Sequence, residues 1–170
     1  MERRAATVEF RAAGRRLEGH AVVFGVEAKL SGFTEVVLPG AFAASLRAGG
    51  DILALVDHDA TKVLARTKSG SLRLSEDNRG LAFSLDTPAT NAGEDVLELA
   101  HRGDLGGMSF AFTVGPNGET WRGTRRELRA INLHEISVVS AWPAYPETSV
   151  MVRARPPMRL MMAQRFLETV

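Results

Sequence analysis

Cysteine is absent from this 170-residue sequence, aromatic residues make up only 6% of it, and the formal net charge is just +1. Without cysteine the chain forms no disulfide, offers no thiolate ligand to zinc and has no cysteine nucleophile. A charge this close to neutral argues against a protein that binds nucleic acid through bulk positive charge. No apolar run approaches the roughly 20 residues that a membrane-spanning helix requires. We therefore expect neither a nucleic-acid partner nor a membrane partner.

The rest of the composition is typical of a folded globular chain, with 45% hydrophobic and 24% charged residues. A chain of this length suits a single domain with a sizeable core. About seven segments have strand-like patterns, and two, residues 41–48 and 91–102, have helical ones. In the second helix we predict Asn91 as the N-cap, with Glu94 three residues on, and Gly103 as the end. The irregular order of the elements predicts an α+β fold, a mostly antiparallel sheet or β-barrel with peripheral helices.

His58 ends an apolar, strand-like segment, residues 51–58, and stands between two aspartates. One interpretation is a solvated strand end. A second is a catalytic base, since histidine titrates near neutral pH. A third is a metal site formed with Asp57 and Asp59. No other cluster of histidine and aspartate in the sequence would complete such a metal site.

Ser109 follows two glycines and lies in a strand-like segment, residues 108–114, that is apolar on one face. Strand alternation places Met108 and Phe110 on one face and Ser109 and Ala111 on the other. The small residues of that second face leave space above the hydroxyl for a substrate. The simpler interpretation is a serine that is merely tolerated on a strand.

Glu135 lies in the last strand-like segment, residues 133–139, where regular alternation places it on one face with Leu133 and Ser137. A carboxylate among apolar residues is costly to bury unless it is paired. It is therefore either a salt-bridge partner of an arginine or an acid that orients a histidine. His134 points to the opposite face of a regular strand, so His134 and Glu135 cannot both serve one site.

His58, Ser109 and Glu135 together offer a base, a nucleophile and an orienting acid. A serine hydroxyl needs a base within hydrogen-bond reach, and that base needs a partner that fixes its tautomer. Triads of this kind occur in different chain orders on unrelated folds. The motifs GxGxxG, GxxxxGK[ST], HExxH and GxSxG are all absent, which gives no support to nucleotide binding, a zincin or an α/β-hydrolase.

At these residues the sequence resembles the HK97-type phage prohead proteases, the serine proteases of capsid maturation, which are related in fold to the herpesvirus assemblins. The two most specific matching stretches are GDLGGMSFAF at residues 103–112 and LHEISVVSAWPAY at residues 133–145. The others are GHAVVF at residues 19–24, EVVLPGAF at 35–42, VDHD at 56–59 and GLAF at 80–83. In order and spacing they cover most of the chain.

The resemblance implies a serine endopeptidase with a compact β-barrel surrounded by helices and with no cofactor. It implies His58 as general base, Ser109 as nucleophile and Glu135 as the third member. Herpesvirus relatives have a histidine as third member, for which His134 is the alternative here. They also have arginines near the oxyanion hole where this sequence has SAW at residues 140–142, so the resemblance assigns no oxyanion hole here, and backbone N–H groups of that loop are candidates.

The resemblance also implies a setting, the interior of a phage procapsid in the host cytoplasm. The expected substrates are the scaffold or the scaffold-like segment of the major capsid protein, and the protease itself, which would work as a dimer or other homo-oligomer. We expect a protease domain at residues 1–152 and a basic tail at 153–170, either a helix or a self-cleavage segment. The competing hypotheses are a catalytically silent barrel with a structural or scaffolding role in the head, and a metal-dependent hydrolase at residues 57–59.

Overall fold

The computed structural model describes residues 1–6 and 10–140, which form strands β1 to β13 and helices α1 and α2. The strands are β1 (Glu2–Ala6), β2 (Phe10–Ala13), β3 (Arg16–Val23), β4 (Glu27–Leu30), β5 (Phe33–Val37), β6 (Leu53–Val56), β7 (Asp59–Arg66), β8 (Leu72–Glu76), β9 (Gly80–Asp86), β10 (Gly107–Val114), β11 (Glu119–Arg122), β12 (Arg125–Leu128) and β13 (Ile131–Val139). The helices are α1 (Ala43–Arg47) and α2 (Asn91–Arg102).

The strands pair into three sheets. One has the order β1-β10-β13-β6-β7, the second β2-β3-β9-β8 and the third β11-β12-β5-β4. Most neighbours are antiparallel, and the pairs β13–β6 and β12–β5 are parallel. The α+β class dominated by antiparallel strands is confirmed. The closed barrel is not found in the described part of the chain, because closure requires the two edge strands of a sheet to pair with each other and these sheets stay open.

One hydrophobic core joins the first two sheets to the helices. Phe110 and Ile136 come from the centre of the five-stranded sheet, Leu85 from β9 and Val96 from α2, and all four are buried. Phe42, which precedes α1, packs edge-on against Phe110 with the ring centroids 5.9 Å apart. This core covers one face of β10 and β13, and the other face of these two strands carries the buried polar side chains Ser109, Glu135 and Ser137.

Both helices lie where the sequence predicts them, and α2 has the predicted bounds. Its N-cap, however, is Thr90. The backbone of Thr90 is extended, and its side-chain oxygen accepts a hydrogen bond from the N–H of Gly93. Asn91 is already the first helical residue. Threonine and asparagine are both good caps, so the sequence does not distinguish two such neighbours. Gly103 ends the helix with a φ of 73°, as predicted.

The remaining differences come from short or polar strands. One strand-like segment of the sequence, residues 6–12, overlaps the end of β1 and most of β2, which lie in different sheets. Strands β4 and β11 were not predicted, because most of their residues are polar or partly exposed and lack apolar alternation. Neither helix of the described chain has the length and apolar character needed to cross a membrane. The proposed basic tail at residues 153–170 lies outside the described residues.

Candidate active site

Ser109 lies on β10, which has a neighbouring strand on each side. It is opposite Ala5 of β1 and opposite Ser137 of β13. Met108 and Phe110, on either side of it in sequence, belong to the hydrophobic core. Because strand residues alternate between faces, the serine hydroxyl projects from the other face of the sheet, as predicted. Pairing on both sides therefore fixes the position of this serine.

Glu135 is brought to the same face as the serine by a β-bulge in β13. Ala111 pairs with Glu135, but the next residue of β10 pairs with Leu133, which leaves His134 as the extra residue. Leu133 then packs in the core, whereas Glu135 lies on the opposite face. The prediction that Leu133 and Glu135 share a face is wrong, because a bulge resets the alternation and re-aims a side chain.

His58 lies in the two-residue turn that joins β6 to β7. Val56 pairs with Asp59, and the two turn residues, Asp57 and His58, have positive φ values of 49° and 59°. Two left-handed residues form a type I′ turn, which favours asparagine and glycine. A histidine there costs conformational energy, and such strain is typical of functional sites. The predicted strand at residues 51–58 therefore ends before the histidine.

The structure brings the three predicted side chains into one hydrogen-bonded chain. His58 Nε2 lies 2.7 Å from Ser109 Oγ, and His58 Nδ1 hydrogen-bonds to Glu135 Oε1. A carboxylate only accepts, so Nδ1 carries the proton of a neutral imidazole and Nε2 is the acceptor. Glu135 is buried, and the His58 side chain is only 16% exposed. This arrangement can take a proton from the hydroxyl and stabilise the resulting imidazolium with the carboxylate.

A second set of hydrogen bonds holds the turn against the end of β13. The Asp57 N–H donates to the Val138 carbonyl at 2.9 Å, and the Asp57 carboxylate accepts from the N–H and hydroxyl of Ser140 at 2.8 and 2.7 Å. Ser137 Oγ is fully buried and lies 3.3 Å from both the backbone N and Nδ1 of His58. These supporting residues were not predicted. Alternation alone places Ser137 on the face of Glu135, but its contact with His58 depends on the β6–β7 turn, which the local pattern does not show.

Strand β1 is fixed beside β10 by a cluster of charged side chains, here called the ion cluster: Glu2, Arg4, Glu35, Glu119 and Arg126. Arg4 donates to both oxygens of Glu35 at 2.6 and 2.8 Å and to Glu2 at 2.7 Å. Arg126 binds Glu2, Glu35 and Glu119, at distances of 2.6 to 2.9 Å. Arg4, Glu35 and Arg126 are all buried. Every charge in this cluster has a partner of opposite sign, which is the condition under which burying charges is tolerated.

The ion cluster also shifts the pKa values of Glu2 and Arg126. Burial by itself would raise the pKa of Glu2, but hydrogen bonds from Arg126 and Arg4 outweigh it, so the pKa lies below its ordinary value. Burial would lower the pKa of Arg126, and the hydrogen bonds to Glu2 and Glu119 raise it instead. Both shifts favour the charged forms, so Glu2 and Arg126 interact as full charges at neutral pH.

The other histidines take no part in this site. His134, the alternative third member, is exposed and hydrogen-bonds to Thr113 Oγ1 at 2.9 Å. His20 binds Asp77 at 2.7 Å, and this hydrogen bond is the main reason that the pKa of Asp77 is lowered to about 2. His101 is exposed in the last turn of α2. Of the candidates for the third position, Glu135 alone contacts His58 in the described residues.

The alternative of a metal site at residues 57–59 finds no geometric support. The Asp57 carboxylate binds Ser140, and Asp59 accepts from the N–H and hydroxyl of Thr61 at 2.9 and 2.6 Å. Within the part of the chain that the structure describes, no three histidine or carboxylate side chains form a group that could hold a metal ion. Of the candidate oxyanion-hole loop at residues 140–142, only Ser140 is described, and its N–H is already engaged by Asp57.

Comparison with known proteins gives one match that covers nearly the whole chain. A family model described as caudovirus prohead serine protease matches residues 2–161. No match was found among curated proteins or among solved structures. The match includes all three residues of the hydrogen-bonded chain.

Proposed function

The chain belongs to the family of caudovirus prohead serine proteases, and on that premise we propose that it is the serine endopeptidase of phage capsid maturation. Its proposed substrates are the scaffold or the scaffold-like segment of the major capsid protein, and its proposed location is the procapsid interior in the host cytoplasm. The observation that carries the proposal is the hydrogen-bonded chain from Ser109 through His58 to Glu135. The catalytic roles of these residues are part of the proposal.

In the proposed mechanism, Ser109 Oγ attacks the carbonyl carbon of the scissile peptide bond while its proton passes to His58 Nε2. Glu135 accepts the Nδ1–H bond throughout and stabilises the imidazolium. His58 then gives its proton to the departing amine, which leaves an acyl-enzyme. A water molecule loses one proton to His58 as it attacks this ester, and the proton returns to Ser109. Only side chains of the protein are needed, with no cofactor.

The silent-barrel alternative requires a serine that is buried and remote from the histidine. Ser109 is only 1% exposed, which fits the first condition, but its hydroxyl lies 2.7 Å from His58, which does not fit the second. A contact this short between the Ser109 hydroxyl and Nε2 of a ring whose other nitrogen, Nδ1, is bound to a carboxylate favours the protease.

The test is co-expression of the chain with the major capsid protein and scaffold of its phage. Wild-type protein should shorten its substrate, and the Ser109→Ala variant should leave it full length, as read by intact mass. The matched control is Ser84→Ala, which removes another strand hydroxyl, one bonded to Glu18 and located on β9 in the sheet β2-β3-β9-β8 rather than in the sheet of Ser109. Cleavage by Ser109→Ala at the wild-type rate would refute the proposal.

Self-cleavage and self-association are further parts of this proposal. Wild-type protein should lose a terminal segment during expression, and Ser109→Ala should keep its full mass. Sedimentation of the Ser109→Ala protein should show a dimer or larger homo-oligomer. A wild-type chain that keeps its full mass in the presence of cleaved capsid protein would remove self-cleavage from the proposal.

A further inference from the structure

The hydroxyl of Ser109 has two hydrogen-bond acceptors within reach and only one proton. His58 Nε2 and the backbone carbonyl oxygen of Arg4 each lie 2.7 Å from Ser109 Oγ. A carbonyl oxygen accepts and never donates. When Nδ1 of a neutral His58 donates to Glu135, Nε2 also accepts. The proton that His58 must receive as general base therefore has a second possible acceptor, the Arg4 carbonyl oxygen of β1.

The two hydrogen bonds are mutually exclusive for a neutral histidine. If Ser109 donates to the Arg4 carbonyl, the lone pairs of Oγ and of Nε2 face each other. If Ser109 donates to His58, the lone pairs of Oγ face the Arg4 carbonyl oxygen at the same short distance. Each alternative leaves one close contact without a proton, so the arrangement ready for proton transfer is disfavoured while β1 is in place.

Strand β1 also lies directly beside Ser109, which is buried. Ala5 pairs directly with Ser109, and the residue as a whole is only 1% exposed. The strand is held there by five paired positions, by the Arg4–Glu35 and Glu2–Arg126 bonds of the ion cluster, and by the Arg4 guanidinium over the Phe112 ring at 5.4 Å. An edge strand joined to only one neighbour is the part of a sheet that can leave without breaking the rest.

We propose that β1 (Glu2–Ala6) is an autoinhibitory strand, whose Arg4 carbonyl holds the Ser109 hydroxyl in an unreactive state until β1 moves away from β10. This inference rests on the proposed function, because it regulates the same nucleophile. It explains why a serine bonded to a histidine is nevertheless buried. Displacement of β1 removes the competing acceptor and exposes the edge of β10 beside Ser109. The contacts among Ser109, His58 and Glu135 come from β10, the β6–β7 turn and β13 and stay intact.

A reversible covalent bond between β1 and β10 tests the proposal directly. Arg3 and Ala111 are opposite each other in the register, and directly opposed strand residues have the spacing that a disulfide requires. Because the chain has no cysteine, the double variant Arg3→Cys/Ala111→Cys contains only this one pair. The readout is the rate at which a fluorophosphonate probe labels Ser109. Because the disulfide prevents β1 from leaving β10, we expect labelling to be about tenfold slower or more after oxidation, and to recover on reduction.

A second variant loosens β1 without a new bond. Glu2→Gln removes a charge by which β1 is bound to Arg126, and we expect it to label about fivefold faster than wild type. The matched control is Glu27→Gln, which removes a carboxylate bound to Arg125 on β12, away from β1. The control should label at the wild-type rate.

The outcomes separate this inference from the proposed function. Labelling at equal rates in the oxidised and reduced double variant, or slower labelling of Glu2→Gln, overturns the autoinhibitory role and leaves Ser109 as a nucleophile. Absence of labelling in wild type, reduced double variant and Glu2→Gln alike overturns the nucleophile itself and the proposed function with it.

Discussion

The ion cluster and the hydrogen-bonded chain of Ser109, His58 and Glu135 both adjoin β10, and they are built in different ways. The ion cluster pairs every buried charge with charges of opposite sign and uses them to hold β1 against its neighbours. The chain of Ser109, His58 and Glu135 contains one carboxylate, one imidazole and one hydroxyl, joined by hydrogen bonds. The first arrangement has no proton to move at neutral pH, whereas the second has a proton between two groups that can both hold it. Fully paired charges hold a strand in position, whereas a hydrogen-bonded chain with a transferable proton is suited to acid–base chemistry.

The two clusters also differ in the regularity of the backbone that carries them. The ion cluster comes from regular strands, whereas the second cluster depends on a bulge at His134 and on a turn in which Asp57 and His58 have positive φ. Irregular backbone of this kind costs energy and is retained where it aims a side chain. Four changes test the comparison, here taken from the largest expected effect to the smallest.

The largest effect is expected from Glu135→Gln. The amide keeps the shape of the side chain but cannot hold His58 in the Nδ1–H tautomer or stabilise its imidazolium, so kcat should fall by about 10⁴. Cleavage of the capsid-protein substrate measures this loss, and thermal unfolding checks that the fold is kept. A fall in kcat of less than about tenfold would show that Glu135 only packs against the histidine.

Glu35→Gln should damage stability instead. It leaves Arg4 and Arg126 buried with too few anionic partners, which typically costs about 3–5 kcal/mol. The free energy of unfolding in urea measures the effect, and Glu27→Gln, in an exposed ion pair, should change it much less. Unchanged unfolding of Glu35→Gln would mean that the ion cluster does not anchor the strand.

A smaller effect is expected from Ser137→Ala. This variant removes one hydroxyl that contacts the backbone N and Nδ1 of His58, so the ring is held less firmly. Loss of one hydrogen bond predicts a fall in kcat of about tenfold with little change in KM. Steady-state kinetics on a peptide substrate separates the two constants. An unchanged kcat would show that the carboxylate and the turn position the ring without help.

The smallest effect is a pH dependence in the ion cluster. The pKa of Glu2 is lower in the folded protein than its ordinary value of 4.5. Glu2 therefore contributes stability that is fully present above about pH 4.5 and is lost as pH falls through its lower folded pKa. The difference in unfolding free energy between wild type and Glu2→Gln should be largest near neutral pH and shrink below pH 4.5. A difference that grows on acidification would contradict this assignment.

Much of the fold follows from local pattern. The bounds of α2, the end at Gly103 and the two faces of β10 are as predicted, because helical spacing and strand alternation act over a few residues. The caps and edges are less predictable, as the shift from Asn91 to Thr90 shows. The closed barrel was wrong because closure depends on which edge strands meet, and alternation within a strand carries no information about its partner.

The candidate site shows the same division. His58, Ser109 and Glu135 were identified from residue type, neighbours and a family resemblance. The reason given for Glu135, its face in a regular strand, was incomplete, since the bulge at His134 provides that face. The contact of Ser137 with His58 could not be predicted, because it depends on where the β6–β7 turn lies relative to β13.

The sequence by itself determined which groups are available: a hydroxyl between small residues, one histidine between aspartates and no thiol. The tertiary structure alone decided that these groups meet, and that the Arg4 carbonyl reaches the same hydroxyl. The physical reason is separation along the chain. Ala5 and Ser109 become neighbours only through strand pairing. Such pairing is fixed by the packing of the whole sheet, whereas a helix or a turn is fixed by the residues within it.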